Sequence, residues 1–456
     1  MSDTIDDRDE DVLDARRVEA IQDAVEAQDS ARLDALLDPM HAADIADLLE
    51  QISPNDRREL LRLWPDGIDG EILSELDESI REDVIDQLSP AVLAEAVREL
   101  DTDDVVDILE DLEEEDHGRI LGALEDADRV AVERAMAYPD YSAGRLMQRE
   151  VVVAPEHWNV GQAIDYMRSN ESLPDQFYHV ILVDPRMKPK GYVTLGRVLS
   201  SRRDVLLREI EEDSFRTIEA TEPEADVAYI FNQYHLISCP VVDENDRLVG
   251  VITIDDAMNV LDEEHEEDML RMAGVGDEAS LSDTVWEAAK GRAVWLFVNL
   301  LTAILASSVI GFFADDINKM VALAVLMPIV ASMGGNAGTQ TMTVAVRALA
   351  TRDLTSQNAL RVVRREAAVG ALNGVAFGLL MALIAGVWFG IPMLAFVIGV
   401  AMVLTLIAAA AGGILIPMGL QRFGIDPALA SGPFVTTVTD VVGFFAFLGL
   451  ASWILL

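Results

Sequence analysis

The stretch DPALASGPFVTTVTD, from Asp426 to Asp440, ends in a carboxylate that lies inside an otherwise uncharged run. From Ile391 to Leu456 the only charged residues are Arg422, Asp426 and Asp440. Apolar or weakly polar residues flank Asp440 on both sides, which predicts a position near the middle of a membrane. A carboxylate at that depth costs roughly 2.5–3.5 kcal/mol on insertion scales, so we expect it to face a water-filled pathway or a cation. A structural hydrogen bond to another helix is the alternative.

A second polar stretch, PIVASMGGNAGTQ from Pro328 to Gln340, forms a glycine-rich break in an earlier apolar run. Its glycines allow backbone carbonyls to approach an ion or another helix closely, and its amides and hydroxyls add neutral oxygens. Such oxygens suit a hydrated cation, but small residues also serve ordinary helix packing. The residues concerned are Gly334, Gly335, Asn336, Gly338, Thr339 and Gln340.

Charge divides the chain into two regions. Residues 282–456 contain eight acidic and nine basic residues, whereas residues 1–281 carry a net charge of −47. This division predicts a soluble acidic region followed by a membrane region. A surface so acidic argues against nucleic-acid partners and for cations. The same excess of carboxylates is typical of a halophilic composition, in which salt screens the repulsion, so no single acidic cluster identifies a metal site.

A spacing of twelve residues runs through the first 140 positions, which read as helical. Apolar residues recur at this spacing, and most are followed at once by a capping or acidic residue. Ser53-Pro54 and Ser89-Pro90 are good helix starts because proline is favoured at the first helical position. Short helices that cannot bury a face alone are expected to stack into a solenoid. Unrelated amphipathic helices are the alternative. The recurring apolar residues are Ile52, Trp64, Leu76, Leu88, Leu100, Leu112 and Leu124.

The next region, residues 141–260, contains two copies of one β-rich pattern at a constant offset. Val183 aligns with Val242, and Gly191 aligns with Gly250 at the same offset. Helical patterns lie between the β-rich runs of each copy. This β-α-β-β-α unit resembles a pair of CBS modules, about 141–204 and 205–260, a regulatory type of domain.

The resemblance to CBS modules raises the possibility of a bound adenine nucleotide such as ATP. CBS pairs often bind one through a Thr/Ser-x-x-Asp motif that contacts the ribose. The second copy has this motif as Thr253 and Asp256, whereas the first copy has Arg197 where the acid would stand. The sequence leaves the nucleotide question open.

An acidic segment, residues 255–290, leads from the CBS-like region towards the membrane region. Its first part has a helical pattern in which eight carboxylates crowd most of the surface. Like charges three or four residues apart on a helix repel. Such a helix is destabilised by its own charge unless cations neutralise it, which makes it a candidate sensor of a divalent ion.

Five apolar segments after Val294 are long enough to span a membrane. The connection 347–365 carries five arginines and one acid, so the positive-inside rule predicts that it is cytoplasmic, with Arg422 on the same side. The short Ala314–Lys319 loop is then external. The prediction is a multi-pass protein of the cell membrane with the acidic region inside and the C-terminus outside. The predicted spans are about 294–313, 320–346, 367–389, 391–420 and 428–456.

The order of these parts resembles the MgtE family of magnesium channels. The most specific matches are the run from Gly334 to Gln340, the run from Arg347 to Asp353, and Asp426 to Pro433 with Asp440. The resemblance implies an all-α superhelical N-terminal domain, an α/β tandem CBS domain and an all-α five-helix transmembrane domain. The corresponding boundaries are 1–140, 141–260, 255–290 for the connecting helix, and 291–456.

The resemblance implies a homodimeric channel in which the last helices bring two Asp440 carboxylates to the axis. Magnesium dehydrates reluctantly, so a pair of carboxylates spaced to hold a hydrated ion can select it by size and charge. In the family, positions matching Asp426 and Thr436 also lie at ion sites, and Thr436 is expected to contribute chiefly its backbone carbonyl. Asn336 and Gly335 complete the predicted set of pore residues.

The resemblance also implies that Mg²⁺ is a regulator as well as a substrate. In the family, cytosolic Mg²⁺ links the connecting helix to the CBS and N-terminal domains, and the pore closes. Here His235 and Asn259 stand where further acidic ligands are expected. The matching acidic positions are Asp256, Glu264, Glu267 and Asp268, with Glu99 and Asp103 on the N-terminal domain.

Two alternatives stay open. One is a transporter of another divalent ion, Co²⁺ or Mn²⁺ in particular, because one hydrated-ion site discriminates only partly between ions of equal charge. The other is a membrane-anchored nucleotide sensor, in which the spans only anchor and dimerise. An enzyme is not expected, since the sequence has no phosphate-binding loop, nucleophile elbow or metalloprotease motif.

Overall fold

A computed structural model gives the structure of residues 13, 15–65, 67–112, 117–170, 173–174, 176–275 and 285–456. The chain divides into two compact units, Met1–Asp262 and Glu263–Leu456. The first unit contains the N-terminal helices and the two β-rich modules, and the second contains the apolar helices.

The N-terminal helices of the first unit stack in two rows. Helix α3 packs on α5, α5 on α7 and α7 on α9, while α6 packs on α8 and α8 on α10. Their apolar faces share one buried core. The stacking confirms the predicted helical superstructure. The helices are α1 Ala15–Glu26, α2 Ser30–Leu37, α3 Ala42–Gln51, α4 Pro54–Leu63, α5 Gly70–Ser74, α6 Glu78–Ile85, α7 Pro90–Glu99, α8 Thr102–Asp111, α9 His117–Leu121 and α10 Asp126–Ala135.

The spacing of twelve residues sets where these helices begin and end. Helices α4, α6, α7, α8 and α10 start at multiples of twelve residues from one another. The hydroxyls of Ser53 and Ser89 each accept a hydrogen bond from the backbone N–H three residues later, at 3.3 Å, and proline follows each serine. These caps satisfy N–H groups that have no partner within the helix. The recurring apolar residue is the C-cap of α3, α4 and α8, where Ile52, Trp64 and Leu112 are buried.

Two three-stranded sheets form the second part of the first unit. In each sheet the first two strands are parallel and the last two antiparallel. Strands β2 and β5, and likewise β3 and β6, begin at the predicted constant offset, so the two-copy prediction is confirmed. The elements are β1 Val153–Pro155, α11 Val160–Ser169, β2 His179–Val183, β3 Pro189–Thr194, α12 Leu195–Ser200, β4 Ile218–Glu219, α13 Glu224–Tyr234, β5 Ser238–Val242 and β6 Leu248–Thr253.

Helix α14, Ile254–Ala273, contains the acidic connecting segment. It belongs to the first unit up to Asp262 and to the second unit from Glu263. Gly274 follows it with a φ of +71°, a left-handed conformation that glycine adopts without strain and that often ends a helix. The predicted segment 255–290 extends beyond this helix: residues 276–284 lie outside the described part, and residues 285–290 belong to the next helix.

Five long apolar helices and one short helix form the rest of the second unit. Helix α19 packs on α17, α18 and α20, and α17 also packs on α20. All five long helices are long and apolar enough to cross a membrane. The bounds are α15 Val285–Phe312, α16 Ala314–Lys319, α17 Ala322–Ala350, α18 Ala359–Phe389, α19 Pro392–Arg422 and α20 Pro427–Leu455.

Two sequence expectations for this unit were wrong. The predicted Ala314–Lys319 loop is the short helix α16, because its acids stand in the first turn and Lys319 in the last, where each complements the helix dipole. Lys319 Nζ also lies 3.0 Å from Asp316. The predicted glycine-rich break from Pro328 to Gln340 is also helical, since α17 runs through it without interruption. A continuous helix keeps its backbone hydrogen bonds where water is excluded.

The glycines of α17 form a close seam with its neighbours. A methyl group built on Gly334 would lie 2.7 Å from Cγ2 of Thr405 on α19, and one built on Gly338 would lie 2.8 Å from Cγ1 of Val435 on α20. Thr439 on α20 borders both glycines. These glycines therefore serve close packing of three helices. Gly335, by contrast, has no neighbouring atom within 4 Å of such a methyl group.

Candidate functional site

The three predicted pore side chains lie at one level of helices α17 and α20. Asn336 lies between Gly334 and Gly338, which border Thr439 and Val435 in the seam. On α20, each residue is turned about 100° from the one before. Thr436 and Asp440 each follow one residue after the buried row of Val435 and Thr439, so they are turned out of the seam. Asn336 and Thr436 are exposed and Asp440 is partly exposed.

Asp440 makes no hydrogen bond or ion pair with any other residue that the structure describes. The carbonyl of Thr436, one turn earlier, accepts a hydrogen bond from the Thr439 hydroxyl at 2.9 Å. The Thr437 hydroxyl donates to the Pro433 carbonyl at 2.5 Å. The hydroxyls of Thr437 and Thr439 thus bind backbone carbonyls of their own helix. The Asp440 carboxylate makes no such contact and could bind a cation on this face of α20.

A second group of predicted residues lies at the N-terminal end of α20. Asp426 caps this helix by accepting a hydrogen bond from the Ala428 N–H at 2.8 Å. Its other carboxylate oxygen lies 3.2 Å from the guanidinium of Arg271 on α14, which also lies 2.8 Å from Glu267. Burial raises the pKa of Glu264 and of Asp268, and the charge of Asp426 adds to both shifts. Four carboxylates and one arginine therefore meet here.

A third group lies in the first unit, where α8 approaches the start of α14. Burial, the charge of Asp256 and the other nearby acids raise the pKa of the buried Asp103 well above its usual value. Burial and the same carboxylate raise the pKa of Asp104 to about 7. The pKa of Asp256 is raised to about 6, chiefly by burial. No lysine or arginine pairs with these three acids within the described ranges. The group therefore consists of three largely buried carboxyl groups whose nearest charged neighbours among the described residues are other acids, and which lose their protons at a higher pH than ordinary aspartates do.

Two contacts hold α8 against the segment that precedes strand β1. The hydroxyl of Thr102 donates to Glu150 at 2.6 Å. Arg145 forms ion pairs with Glu110 of α8 and with Asp140. These contacts flank the buried carboxylates and hold α8 in place within the first unit.

Glu99 and His235 are not joined to this group. Glu99 is exposed at the end of α7, and no contact among the described residues connects it to Asp103. His235 ends α13 in a left-handed conformation, with a φ of 53°. Its position thus has a backbone role, as the residue that follows the last turn of a helix.

The two residues of the nucleotide motif in the second module form a hydrogen bond with each other. The Thr253 hydroxyl donates to Asp256 at 2.6 Å. The nearby cavity, lined by residues that include Tyr178, His179 and Thr253, has a volume of about 20 Å³. The hydrogen bond between Thr253 and Asp256 would have to open for both side chains to bind a ribose.

Comparison with known proteins covers nearly all of these parts. The family model of the MgtE "divalent cation transporter" matches residues 327–450. The model of the "MgtE intracellular N domain" matches residues 40–141, and the CBS domain model matches 143–204 and 207–263. Each of the three groups of carboxylates includes residues that these models match.

Three relatives named "Magnesium transporter MgtE" align with most of the chain. The protein from Bacillus subtilis is 30% identical over 322 residues, which are 71% of each chain. The protein from Enterococcus faecalis is 32% identical over 70% of this chain and 71% of the relative, and that from Thermus thermophilus is 33% identical over 72% and 73%. The chain belongs to the MgtE family. As an MgtE-family protein with five apolar helices, it is a multi-pass membrane protein.

Two solved structures align with about half of this MgtE-family chain. A structure described as the cytosolic domain of the Mg²⁺ channel MgtE in complex with ATP is 27% identical, with a TM-score of 0.49 over 53% of this chain and 99% of that one. A structure described as the soluble part of a magnesium transporter is 21% identical, with a TM-score of 0.48 over 55% and 98%.

Three residues of these sites were missed by sequence reasoning. Asp104 directly follows Asp103 in the first turn of α8. The first 140 residues contain many other acids, so its sequence position alone did not distinguish it. Arg271 is a basic residue in the last turn of an acidic helix. Its positive charge among so many acids is the signal that could have identified it. Thr405 lies in an apolar helix with no signal in its surroundings, since only the packing brings it against Gly334.

The close packing of Gly334 against Thr405 can be tested with a second substitution that compensates for the first. Gly334→Ala is expected to destabilise the protein by about 1–3 kcal/mol, because its methyl group meets Cγ2 of Thr405. Adding Thr405→Ser removes that carbon and is expected to restore stability. Gly335→Ala is the control and should be neutral, since its methyl group meets no atom. Thermal unfolding in detergent measures all four proteins. If the double variant is no more stable than Gly334→Ala, the described seam is wrong.

Proposed function

We propose that this MgtE-family chain is a homodimeric channel for Mg²⁺ that is closed by Mg²⁺ on its cytosolic side. The observation that carries the proposal is Asp440, a carboxylate with no partner among the described residues of its own chain, on the open face of an apolar helix. A charge placed there at a cost in stability is expected to have a function. A second copy of the chain would supply the other carboxylate.

The chemistry of the predicted pore residues suits a hydrated Mg²⁺. This ion holds its octahedral waters at roughly 2.0–2.1 Å and releases them reluctantly. Carboxylates can accept hydrogen bonds from those waters without displacing them. Asp440 supplies the charge, while Thr436 and Asn336 supply neutral oxygens at the same level. Asp426 and Gly335 are the further members of the proposed pathway.

Regulation is proposed at the two acidic groups outside the membrane helices. Asp103, Asp104 and Asp256 carry largely buried negative charge with no cationic partner in the described ranges, and hard carboxylate oxygens are the ligands that Mg²⁺ prefers. Bound Mg²⁺ would supply the missing counter-charge and hold α14 in place. Among the described residues, no three histidine, cysteine or acidic side chains form a compact metal centre. Coordination partly through water is the arrangement expected of Mg²⁺. The second group consists of Glu264, Glu267 and Asp268 of α14.

The proposed topology follows from charge. The connection between α17 and α18 carries several arginines, and Arg422 ends α19, so these ends are assigned to the cytoplasm. The acidic first unit is then cytosolic and the C-terminus external. The four-part division at 1–140, 141–260, 255–290 and 291–456 is part of the same proposal, as is transport in place of an enzymatic reaction.

Competition between ions tests the proposed substrate. Mg²⁺ uptake into liposomes containing the intact chain should be high, and external Co²⁺ or Mn²⁺ should reduce it only at a several-fold excess. If Co²⁺ or Mn²⁺ enters faster than Mg²⁺ at equal concentration, the transporter of other divalent ions is the better assignment. If no divalent ion enters, the nucleotide sensor becomes the better assignment, and ATP binding at Thr253 and Asp256 is the next measurement.

The buried carboxylates also predict how stability depends on pH. Their pKa values are raised in the folded protein, so the folded state binds protons more tightly than the unfolded state does. Without divalent ions, their contribution to stability is therefore full below about pH 4 and is lost as the pH rises to about 7. Added Mg²⁺ should raise the melting temperature by several degrees at pH 8 and by less at pH 5.

Thermal unfolding of the detergent-solubilised chain, with a chelator or with Mg²⁺, measures both effects. The overall negative charge also favours lower pH, so Asp104→Asn is the control that isolates the group. This variant should flatten the dependence of the melting temperature on pH between pH 5 and pH 7. An unchanged slope would show that Asp104 is ionised throughout.

A further inference from the structure

Arg271 is a cationic side chain fixed within a group of acids at the N-terminal end of the last apolar helix. One guanidinium nitrogen lies 3.2 Å from Asp426, and another lies 2.8 Å from Glu267. The side chain of Arg271 is 21% exposed and that of Asp426 is 34% exposed, so both are partly shielded from water. Asp426 keeps this contact while its other oxygen caps α20.

Apolar packing anchors the same end of α14. Met272, the next residue, packs against a buried cluster of Met342 and Val346 from α17 and Ala428 and Val435 from α20. Gly274 then ends the helix, and a methyl group built on it would lie 3.7 Å from Cβ of Trp295. Arg271 therefore directly precedes a packed helix end, unlike a surface arginine that pairs with several partners in turn.

We propose that Arg271 is a specificity-determining residue that acts as a tethered cation. Its guanidinium group pairs with Asp426, and a divalent cation displaces it from this carboxylate whereas a monovalent cation does not. The proposal rests on the proposed function. A monovalent ion brings the same charge as the guanidinium but lacks its hydrogen bonds, so it does not displace the arginine. A divalent ion brings twice the charge to the four nearby carboxylates. Glu267 then retains the displaced guanidinium, four residues away on the same helix.

The test compares monovalent and divalent flux in the full-length protein reconstituted in liposomes. Arg271→Gln removes the cation and should raise K⁺ flux in divalent-free solution about three- to tenfold. Mg²⁺ flux should rise much less than K⁺ flux does, because a divalent ion already displaces the guanidinium in the intact chain. Arg422→Gln is the matched control, because it also removes one positive charge. Arg422 lies only four residues before Asp426 in the sequence and is exposed at the end of α19. This variant should leave both fluxes unchanged.

A double variant separates a specific contact from a general change of charge. Asp426→Asn keeps the helix cap, because asparagine caps as well as aspartate does. In that background, Arg271→Gln should have no further effect on K⁺ flux, since its partner is gone. Arg271→Lys keeps the charge but loses the forked geometry, and it should lie between the intact chain and Arg271→Gln. This variant also serves if Arg271→Gln fails to fold.

The outcomes distinguish the two proposals. If the intact chain carries Mg²⁺ and Arg271→Gln carries no more K⁺ than it does, the tethered-cation proposal is overturned while the channel proposal stands. The tethered-cation proposal is also overturned if Arg422→Gln raises K⁺ flux equally, or if the effect of Arg271→Gln persists with Asp426→Asn. If the intact chain carries no Mg²⁺, the proposed function fails and the specificity proposal falls with it.

Discussion

Replacing Asp440 with asparagine is expected to lower Mg²⁺ uptake about ten- to hundredfold while the protein stays folded. The carboxylate has no partner among the described residues of its own chain, so the substitution breaks no contact within the protomer. It does remove a charge-assisted hydrogen bond to a hydrated ion, which is worth roughly 1.5–3 kcal/mol. Uptake of Mg²⁺ into liposomes, measured with an internal fluorescent indicator, gives the result.

Two controls narrow the interpretation of this variant. Asp440→Glu keeps the charge on a longer side chain and should retain part of the uptake but discriminate less well between Mg²⁺ and larger ions. Asp315→Asn removes an exposed carboxylate from helix α16 and should leave uptake unchanged. Equal uptake by Asp440→Asn and the intact chain would mean that Asp440 is structural, and the pore assignment would move to Asn336 and its neighbours.

The second large effect is expected in regulation. The double substitution Asp103→Asn and Asp104→Asn should abolish closure by cytosolic Mg²⁺ at concentrations that close the intact channel, a shift of at least tenfold in threshold. Neutral amides bind the ion far less well than carboxylates do. In the absence of Mg²⁺, the same variant should be more stable than the intact chain at pH 7.5, because buried like charges no longer repel. Loss of closure by Mg²⁺ together with higher stability in its absence would support Mg²⁺ binding at these two carboxylates.

The matched control removes two acids from the surface of the same helical domain. Asp34 and Asp128 are both exposed, and Asp34→Asn with Asp128→Asn should change neither the threshold nor the stability by more than a small amount. If this control shifts the threshold as much as the buried pair does, general screening of the acidic surface explains the response. If the buried pair leaves the threshold unchanged, Mg²⁺ does not bind there.

Periodic features of the fold could be predicted from the sequence because each reports a local physical rule. The spacing of twelve residues from Ile52 to Leu124 reflects a helix, a turn and a cap. The constant offset between the two β-rich copies predicted both sheets. Apolar length predicted five long helices. The glycines of α17 misled the prediction, since Gly334 and Gly338 face other helices, and only tertiary packing decides whether a glycine-rich run breaks a helix or closes a seam.

The candidate sites were predictable where one residue stood out against its surroundings. Asp440 is a lone charge in an apolar run, and its prediction needs no partner. Among the many acids of the first unit, by contrast, nothing local distinguishes Asp104 from Glu99. Burial against α14 separates them, and burial depends on how α8 packs. Arg271 is similar, because its contact with Asp426 joins positions that are far apart in the chain.

The central claim is that one ion both crosses the protein and closes it. The most direct test is Mg²⁺ influx into liposomes that hold the intact chain with its acidic unit in the lumen. Luminal Mg²⁺ is set first low and then high, and external Mg²⁺ is raised in step so that the gradient stays constant. The account predicts influx at low luminal Mg²⁺ and its loss at high luminal Mg²⁺. Equal influx under both conditions would contradict it.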